Sequence, residues 1–143
     1  MCGRFALFTK EKIRFKFNVN IEPNFNISPN QMVTTINEQN KIVKLKWGIK
    51  PEWLKGILIN ARYETLEEKK TFKDLKRCVF IANGYYEWKK DKGKKIPFYH
   101  FLDDKLLFFG GIYDDTGCCV VTTKSFKYLS LVHHRQPFFL QEN

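Results

Sequence analysis

Long apolar stretches are missing from this sequence, and their absence excludes several classes of protein. No run approaches the roughly 20 apolar residues that a membrane-spanning helix requires, and the N-terminus lacks the long apolar segment of a signal peptide. Repeats, low-complexity segments and linkers are absent as well. A chain of 143 residues can bury roughly two-thirds of its unfolded surface in one core. We therefore expect one domain over residues 1–143, acting in the cytoplasm or on the nucleoid, with no membrane partner.

Acidic residues are also scarce, because 15 Asp and Glu stand against 25 Lys and Arg and leave a formal net charge of +10. This balance favours polyanionic partners, through phosphate contacts and counterion release. Basic residues gather in residues 10–16 and 89–95. Each cluster can instead be interpreted as a solvated surface. We prefer that interpretation for 89–95, since Lys-Gly-Lys between two strands is typical of a hairpin turn.

Cysteine is limited to four residues without CxxC spacing: Cys2, Cys78, Cys118 and Cys119. This pattern argues against a zinc site and favours a reducing compartment. The last three cysteines lie in segments that are typical of buried strands, where cysteine behaves as a small apolar residue. We expect neither a metal nor another cofactor.

Cys2 directly follows the initiator methionine, so removal of Met1 would leave a thiol and a free amine on one residue. The unperturbed pKa of the amine is about 7.7–8.0 and that of the thiol about 8.5. Such a residue suits amide hydrolysis or capture of an aldehyde, in which a Schiff base forms and the thiolate then closes a thiazolidine. The alternative is a second-position cysteine without a function.

Four further motifs follow Cys2 in the chain. They are Trp47-Gly-Ile-Lys-Pro-Glu-Trp53, Asn60-Ala-Arg-Tyr-Glu-Thr65, Asn83-Gly-Tyr-Tyr-Glu-Trp-Lys89 and His133-His-Arg-Gln-Pro137. Their order and spacing resemble the SOS response-associated peptidase (SRAP) family, whose members shield abasic sites in single-stranded DNA by covalent crosslinking. The resemblance runs from residue 2 almost to the end of the chain.

Two departures from the family pattern stand out. Gln136 occupies a position where methionine is usual, a change that we expect to affect packing more than chemistry. Family members also continue for several dozen residues beyond this last motif, whereas the sequence ends at Asn143. We therefore expect a compact or C-terminally shortened member.

The resemblance implies four catalytic residues: Cys2, Asn60, Glu87 and His133. Glu87 lies between two aromatic residues, where burial of a carboxylate raises its pKa and suits it to proton transfer. An exposed glutamate at a strand edge is the alternative. The imidazole of His133 titrates near neutrality, and the family pattern selects it over His134. The Asn60 amide can orient the Cys2 amine or a substrate hydroxyl, although asparagine is otherwise common in turns.

Three residues are predicted to bind DNA. Arg4 and Arg62 suit phosphate because a guanidinium donates two parallel hydrogen bonds to its oxygens. Either arginine can instead pair with Glu64 or another acid. Trp47 can stack on a base next to the lesion, with core packing as the alternative.

The pattern of apolar and turn residues predicts an α+β domain, and the resemblance implies a mixed, barrel-like β-sheet with short helices. Strands are expected over residues 3–8, 31–36, 41–47, 77–82, 85–89, 96–101, 106–112 and 118–123. Helices are expected over 10–17, 65–75 and 125–131, the last of which would deliver His133.

These observations predict a monomeric protein that binds single-stranded DNA at abasic sites and crosslinks to the ring-opened sugar through Cys2. The resemblance adds self-processing peptidase activity, which would remove Met1, and lyase-type chemistry. Two alternatives stay open. One is a cysteine-type N-terminal nucleophile amidohydrolase or peptidase with His133 as base. The other is a non-catalytic module that binds single-stranded DNA.

Overall fold

The polypeptide is mostly β-strand in the part that the computed structural model describes, residues 2–141. The helices there are α1 (Lys10–Phe17) and two 3₁₀ turns, η1 (Tyr63–Thr65) and η2 (Lys127–Leu131). The strands are β1 (Phe5–Leu7), β2 (Asn24–Ile27), β3 (Met32–Ile36), β4 (Ile42–Lys46), β5 (Asn60–Arg62), β6 (Lys76–Ala82), β7 (Gly84–Asp91), β8 (Lys94–Phe101), β9 (Leu107–Asp114), β10 (Gly117–Lys124), β11 (Arg135–Pro137) and β12 (Phe139–Leu140). None of these helices is long and apolar enough to cross a membrane.

The strands form two sheets. The smaller sheet has the order β2-β1-β7-β8, and the larger has the order β11-β10-β9-β6-β3-β4, with β12 added to β9 and β5 to β10. Pairing between these strands is antiparallel except between β5 and β10, which run parallel. Neither sheet closes on itself within residues 2–141, so the expectation of a barrel is wrong. The α+β class with short helices is confirmed.

Asn83 marks the point where the chain passes from the larger sheet to the smaller one. It separates β6 of the larger sheet from β7 of the smaller one. Its side-chain oxygen accepts hydrogen bonds from the backbone N–H groups of Phe8 (2.7 Å) and Thr9 (3.2 Å), and its amide donates to the Thr9 hydroxyl (3.0 Å). The chain therefore leaves one sheet and enters the other at a fixed point, immediately before the strand that carries Glu87.

The core lies where side chains of the two sheets meet. Phe5 of the smaller sheet packs its ring centroid 5.1 Å from that of Trp47, 5.9 Å from Phe80 and 6.2 Å from Phe109. All four side chains are essentially buried. Burial of a large apolar side chain contributes about 1.5–3 kcal/mol, so this cluster makes a large contribution to holding the two sheets together.

The predicted strands are confirmed with small shifts at their ends, and so is the helix over residues 10–17. The helix predicted over 65–75 is wrong. That segment forms η1 and a series of separate turns, in which Lys69 N–H bonds to Thr65 O and Phe72 N–H to Lys69 O. Leu66, Phe72 and Leu75 pack on a second, smaller core, and this tertiary contact outweighs a weak helical preference. The helix predicted over 125–131 is the shorter η2.

Candidate functional site

Glu87 and His133 line one cleft of about 680 Å³. Strand β7 carries Glu87, and the segment between η2 and β11 carries His133. The cleft is lined by Glu87, Trp88, Lys89, Lys90, Lys95, Ser130, Leu131, Val132, His133 and His134. A larger cavity of about 1290 Å³ has a mostly apolar lining and includes none of Cys2, Asn60, Glu87 or His133. The smaller cleft is therefore the site that brings titratable side chains together.

Glu87 is buried because strand alternation turns it inward. Along β7, Tyr85 and Glu87 are buried, while Tyr86 and Trp88 on the opposite face are half-buried. Only 5% of Glu87 is exposed, which excludes the alternative of a glutamate at an exposed edge. Burial raises the pKa of its carboxyl above the usual 4.5. A raised pKa brings a carboxyl group closer to the working pH, which suits it to proton transfer.

Cys2 is completely buried next to this carboxyl group. Burial, and after it the charge of Glu87, raises the pKa of the Cys2 thiol to about 12. The side-chain amide of Asn60 donates a 2.9 Å hydrogen bond to the Cys2 carbonyl oxygen. Its own oxygen, Oδ1, is buried and has no hydrogen-bond partner among the residues described. Asn60 therefore fixes the backbone of Cys2 and retains a free acceptor beside it.

His133 is held in one tautomer. The backbone N–H of Arg135 donates to His133 Nδ1 over 3.0 Å, so the proton of the neutral ring is on Nε2. Burial is the main cause that lowers the pKa of the imidazole, and the charges of His134 and Lys90 lower it further. The ring also stacks on His134, with centroids 4.5 Å apart. In the neutral ring, His133 therefore carries its proton on Nε2.

Arg135 is a site residue that reasoning from sequence missed. Only 6% of it is exposed, and its guanidinium donates to both carboxylate oxygens of Glu64 at 2.8 Å and to Thr122 O at 2.9 Å. Hydrogen bonding to Arg135 lowers the pKa of Glu64 to about 2. The only signal in the sequence is that two motifs carry opposite charges. The ion pair anchors β11, and with it the segment that presents His133.

The three predicted DNA-binding residues lie in different environments. Arg4 is half-buried, donates to Asn26 Oδ1 over 3.1 Å and lies 6.0 Å from the ring centroid of Trp88 in the cleft. Arg62 is exposed at the end of β5. Trp47 is fully buried, and its indole N–H donates to Ile59 O over 3.1 Å. Stacking of Trp47 on a base is therefore not possible in this structure, and its role in the core corrects the sequence prediction.

The departure at Gln136 has a structural explanation. The residue is buried, and its Oε1 accepts a 2.9 Å hydrogen bond from the backbone N–H of Phe126. The polar side chain thus joins β11 to the start of η2 and is not left unpaired in the core. The contacts of Gln136 are therefore structural, in line with the expectation that this residue affects packing more than chemistry.

Several other expectations from the sequence can be located. Cys78, Cys118 and Cys119 are buried free cysteines in strands, as predicted. Among residues 2–141, no cluster of three His, Cys, Asp or Glu side chains is arranged to bind a metal ion. Met1, whose removal the sequence predicts, lies outside the described residues.

Comparison with known proteins agrees with the motifs. The sequence matches the family described as SOS response associated peptidase (SRAP) over residues 1–143. It is 35% identical to the abasic site processing protein YoqW of Bacillus subtilis, over 99% of this chain and 77% of that protein. It is 33% identical to YobE, an abasic site processing protein of the same organism, over 99% and 78%.

Solved structures show the same fold. A protein from Bacteroides thetaiotaomicron superposes with a TM-score of 0.84 at 22% identity, covering 99% of this chain and 78% of that one. At this level of identity the similarity concerns the fold alone.

Proposed function

This chain belongs to the SRAP family, and on that basis we propose that it processes abasic sites in single-stranded DNA by forming a covalent crosslink through Cys2. The single observation that carries the proposal is the position of Cys2, which is buried beside Glu87, while Glu87 itself lines the cleft that also presents His133. In this proposal the protein acts as a monomer in the cytoplasm, in association with the nucleoid.

The first step is opening of the abasic sugar. The closed hemiacetal must lose a proton from its C1′ hydroxyl while the ring oxygen gains one. Glu87 is suited to accept the first proton because its buried carboxyl has a raised pKa. The Nε2–H of His133 is suited to stabilise the ring oxygen by a hydrogen bond as the C–O bond breaks, and the proton that this oxygen gains is the one that Glu87 took from the C1′ hydroxyl. The product is a free aldehyde at C1′.

Capture of the aldehyde then uses both nucleophiles of Cys2. The free amine adds to C1′, and loss of one water gives an imine. The sulfur attacks the imine carbon, its proton passes to Glu87, the imine nitrogen gains a proton and a thiazolidine closes. The raised pKa of the thiol means that sulfur stays protonated until Glu87 accepts its proton. The free Oδ1 of Asn60 is suited to orient the amine.

This chemistry requires earlier hydrolysis of the bond between Met1 and Cys2, which is the peptidase step of the proposal. The thiazolidine protects the strand because it removes the aldehyde that promotes β-elimination. The lyase-type activity in the proposal is that same elimination, occurring when capture fails.

The rival function, amide hydrolysis with His133 as general base, is less well supported. A base must accept a proton, but His133 Nδ1 already accepts the Arg135 N–H, and Nε2 is protonated in the neutral ring. Hydrolysis would also proceed with turnover and without DNA.

A denaturing gel with abasic single-stranded DNA tests the proposal. Wild-type protein with a free Cys2 should form an adduct that survives denaturation without reduction. Protein that retains Met1 or carries an N-terminal tag should form none, because its nitrogen is then an amide. Cys2→Ala should form only an imine, visible after borohydride reduction. Efficient crosslinking by the blocked protein would contradict the thiazolidine mechanism.

A further inference from the structure

The hairpin formed by β7 and β8 projects a dense group of positive charges next to the cleft. Residues 89–95 contain five lysines and a single carboxylate, Asp91. The two strands pair as far as Asp91 and Lys94, and the turn residues Lys92 and Gly93 both adopt positive φ, of 49° and 79°. This is the backbone of a tight two-residue turn. The charges are therefore carried on a defined hairpin.

Three of these lysines form part of the cleft wall. Lys89 follows Glu87 by two residues and so points to the same face of β7, whereas Lys90 pairs with Lys95 across the hairpin. All three line the cleft together with His133. The charge of Lys90 contributes to the lowered pKa of His133, after burial and other charges. Lys90 therefore lies near enough to His133 for their charges to interact.

No ion pair between described residues includes any of these three lysines. The ion pairs found between described residues join Arg77 to Glu67 and Arg135 to Glu64, and neither includes a lysine of the hairpin. Lys90 and Lys95 are exposed, and Lys89 is half-buried. Like charges that line one cleft concentrate the field there and attract anions.

We propose that Lys89, Lys90 and Lys95 bind the phosphodiester backbone of the DNA strand that runs through the cleft. We name these three residues the lysine wall. This inference rests on the proposed function and replaces our earlier interpretation of residues 89–95 as a solvated turn. It assigns the main backbone contact to the hairpin, since Arg4 is engaged by Asn26 and Arg62 lies outside the cleft lining.

The lysine wall predicts a specific change in salt dependence. Each phosphate contact with a single strand contributes about 0.7 to the slope of log K against log salt concentration. Loss of three contacts should lower the slope by about 2. If binding is equal at 1 M salt, this change amounts to about 100-fold weaker binding at 0.1 M.

The test measures binding of an undamaged, fluorescent single-stranded oligonucleotide by anisotropy over a series of salt concentrations. The test variant combines Lys89→Gln, Lys90→Gln and Lys95→Gln. Its matched control combines Lys41→Gln, Lys44→Gln and Lys46→Gln, which removes the same charge from exposed positions on and beside β4, outside the cleft lining. We expect the slope to fall for the test variant and to change much less for the control.

Equal slopes for the two variants would overturn the proposal, because net charge alone would then explain binding. A denaturing gel with abasic DNA separates this failure from failure of the proposed function. If wild-type protein crosslinks but the slopes are equal, the lysine wall is wrong and the function stands. If wild-type protein never crosslinks but the slope falls only for the test variant, the lysine wall stands as a surface that binds single-stranded DNA.

Discussion

The two walls of the cleft hold their functional side chains by different means. Glu87 belongs to β7, which pairs with β8 along its whole length and with β1 at its start. His133 follows a short 3₁₀ turn, and the strand after it is anchored by the side-chain ion pair between Arg135 and Glu64. One wall is thus held by backbone pairing, and the other by side chains that a single substitution can remove. We call the side that carries Glu87 the strand wall and the side that carries His133 the loop wall. A substitution in the strand wall should lower the rate of crosslinking without lowering stability, whereas a substitution in the loop wall should lower both.

The largest effect is expected from Glu87→Gln. Removal of a positioned proton-transfer group typically lowers a rate by about 10²–10⁴-fold, and crosslinking should fall within this range. The fold should be at least as stable at pH 7, because the wild-type carboxyl has a raised pKa and its ionised form is disfavoured inside the protein. Crosslinking time courses and urea unfolding measure the two quantities. A marked loss of stability in Glu87→Gln would contradict the expectation that the two walls differ in their contribution to stability.

Substitutions in the ion pair that anchors the loop wall should lower stability, and by different amounts for its two partners. Glu64→Ala leaves the Arg135 charge buried without its partner, and breaking a buried pair in this way costs about 3–5 kcal/mol. The Glu64 side chain is 44% exposed, so we expect the lower end of that range. Arg135→Met leaves Glu64 free to be hydrated and should cost only the lost charged hydrogen bonds, about 1.5–3 kcal/mol. Urea unfolding of both variants tests this order, and the reverse order would contradict it.

The sequence predicted one wall of the site better than the other, for a physical reason. Burial of Glu87 follows from local alternation in an aromatic strand, which is visible within a few residues. The pair of Glu64 and Arg135 joins positions 71 residues apart, and no local pattern encodes which acid meets which base. Arg4 and Arg62 were equally plausible partners from sequence alone.

The errors in the fold have the same origin. Trp47 stands in a motif that also carries Lys50 and Glu52, and the packing of Phe5 and Phe80 against it places it in the core. The segment 65–75 has apolar residues at nearly helical spacing, yet Leu66 and Phe72 are used by a tertiary contact that needs no continuous helix. Strands of two or three residues, such as β5 and β12, are set by their partners and have little pattern of their own.

As the pH falls, the protein should lose the stability that comes from the ion pair of the loop wall. Glu64 has its pKa lowered from the usual 4.5 to about 2 by Arg135, so its ionised form is favoured in the folded protein. The resulting stability is fully present above pH 4.5 and is lost as the pH falls towards 2. Glu64→Gln should flatten the decrease in stability between these values, measured by urea unfolding at a series of pH values. An identical pH profile in variant and wild type would show that other carboxyl groups cause the acid sensitivity.

The smallest effect is expected from His134→Ala, which tests how finely the loop wall is built. His134 is exposed and stacks on His133, but the tautomer of His133 depends on the backbone N–H of Arg135, which the substitution leaves in place. Removal of the His134 ring should raise the pKa of His133, since His134 is one of the groups that lower it. Crosslinking at pH 7 should therefore stay close to the wild-type rate, while the pH at which His133 titrates, followed by NMR, should move upward. A large loss of rate would mean that the stacked ring, and not the backbone hydrogen bond, positions the imidazole, and the loop wall would then depend on one more side chain than the structure indicates.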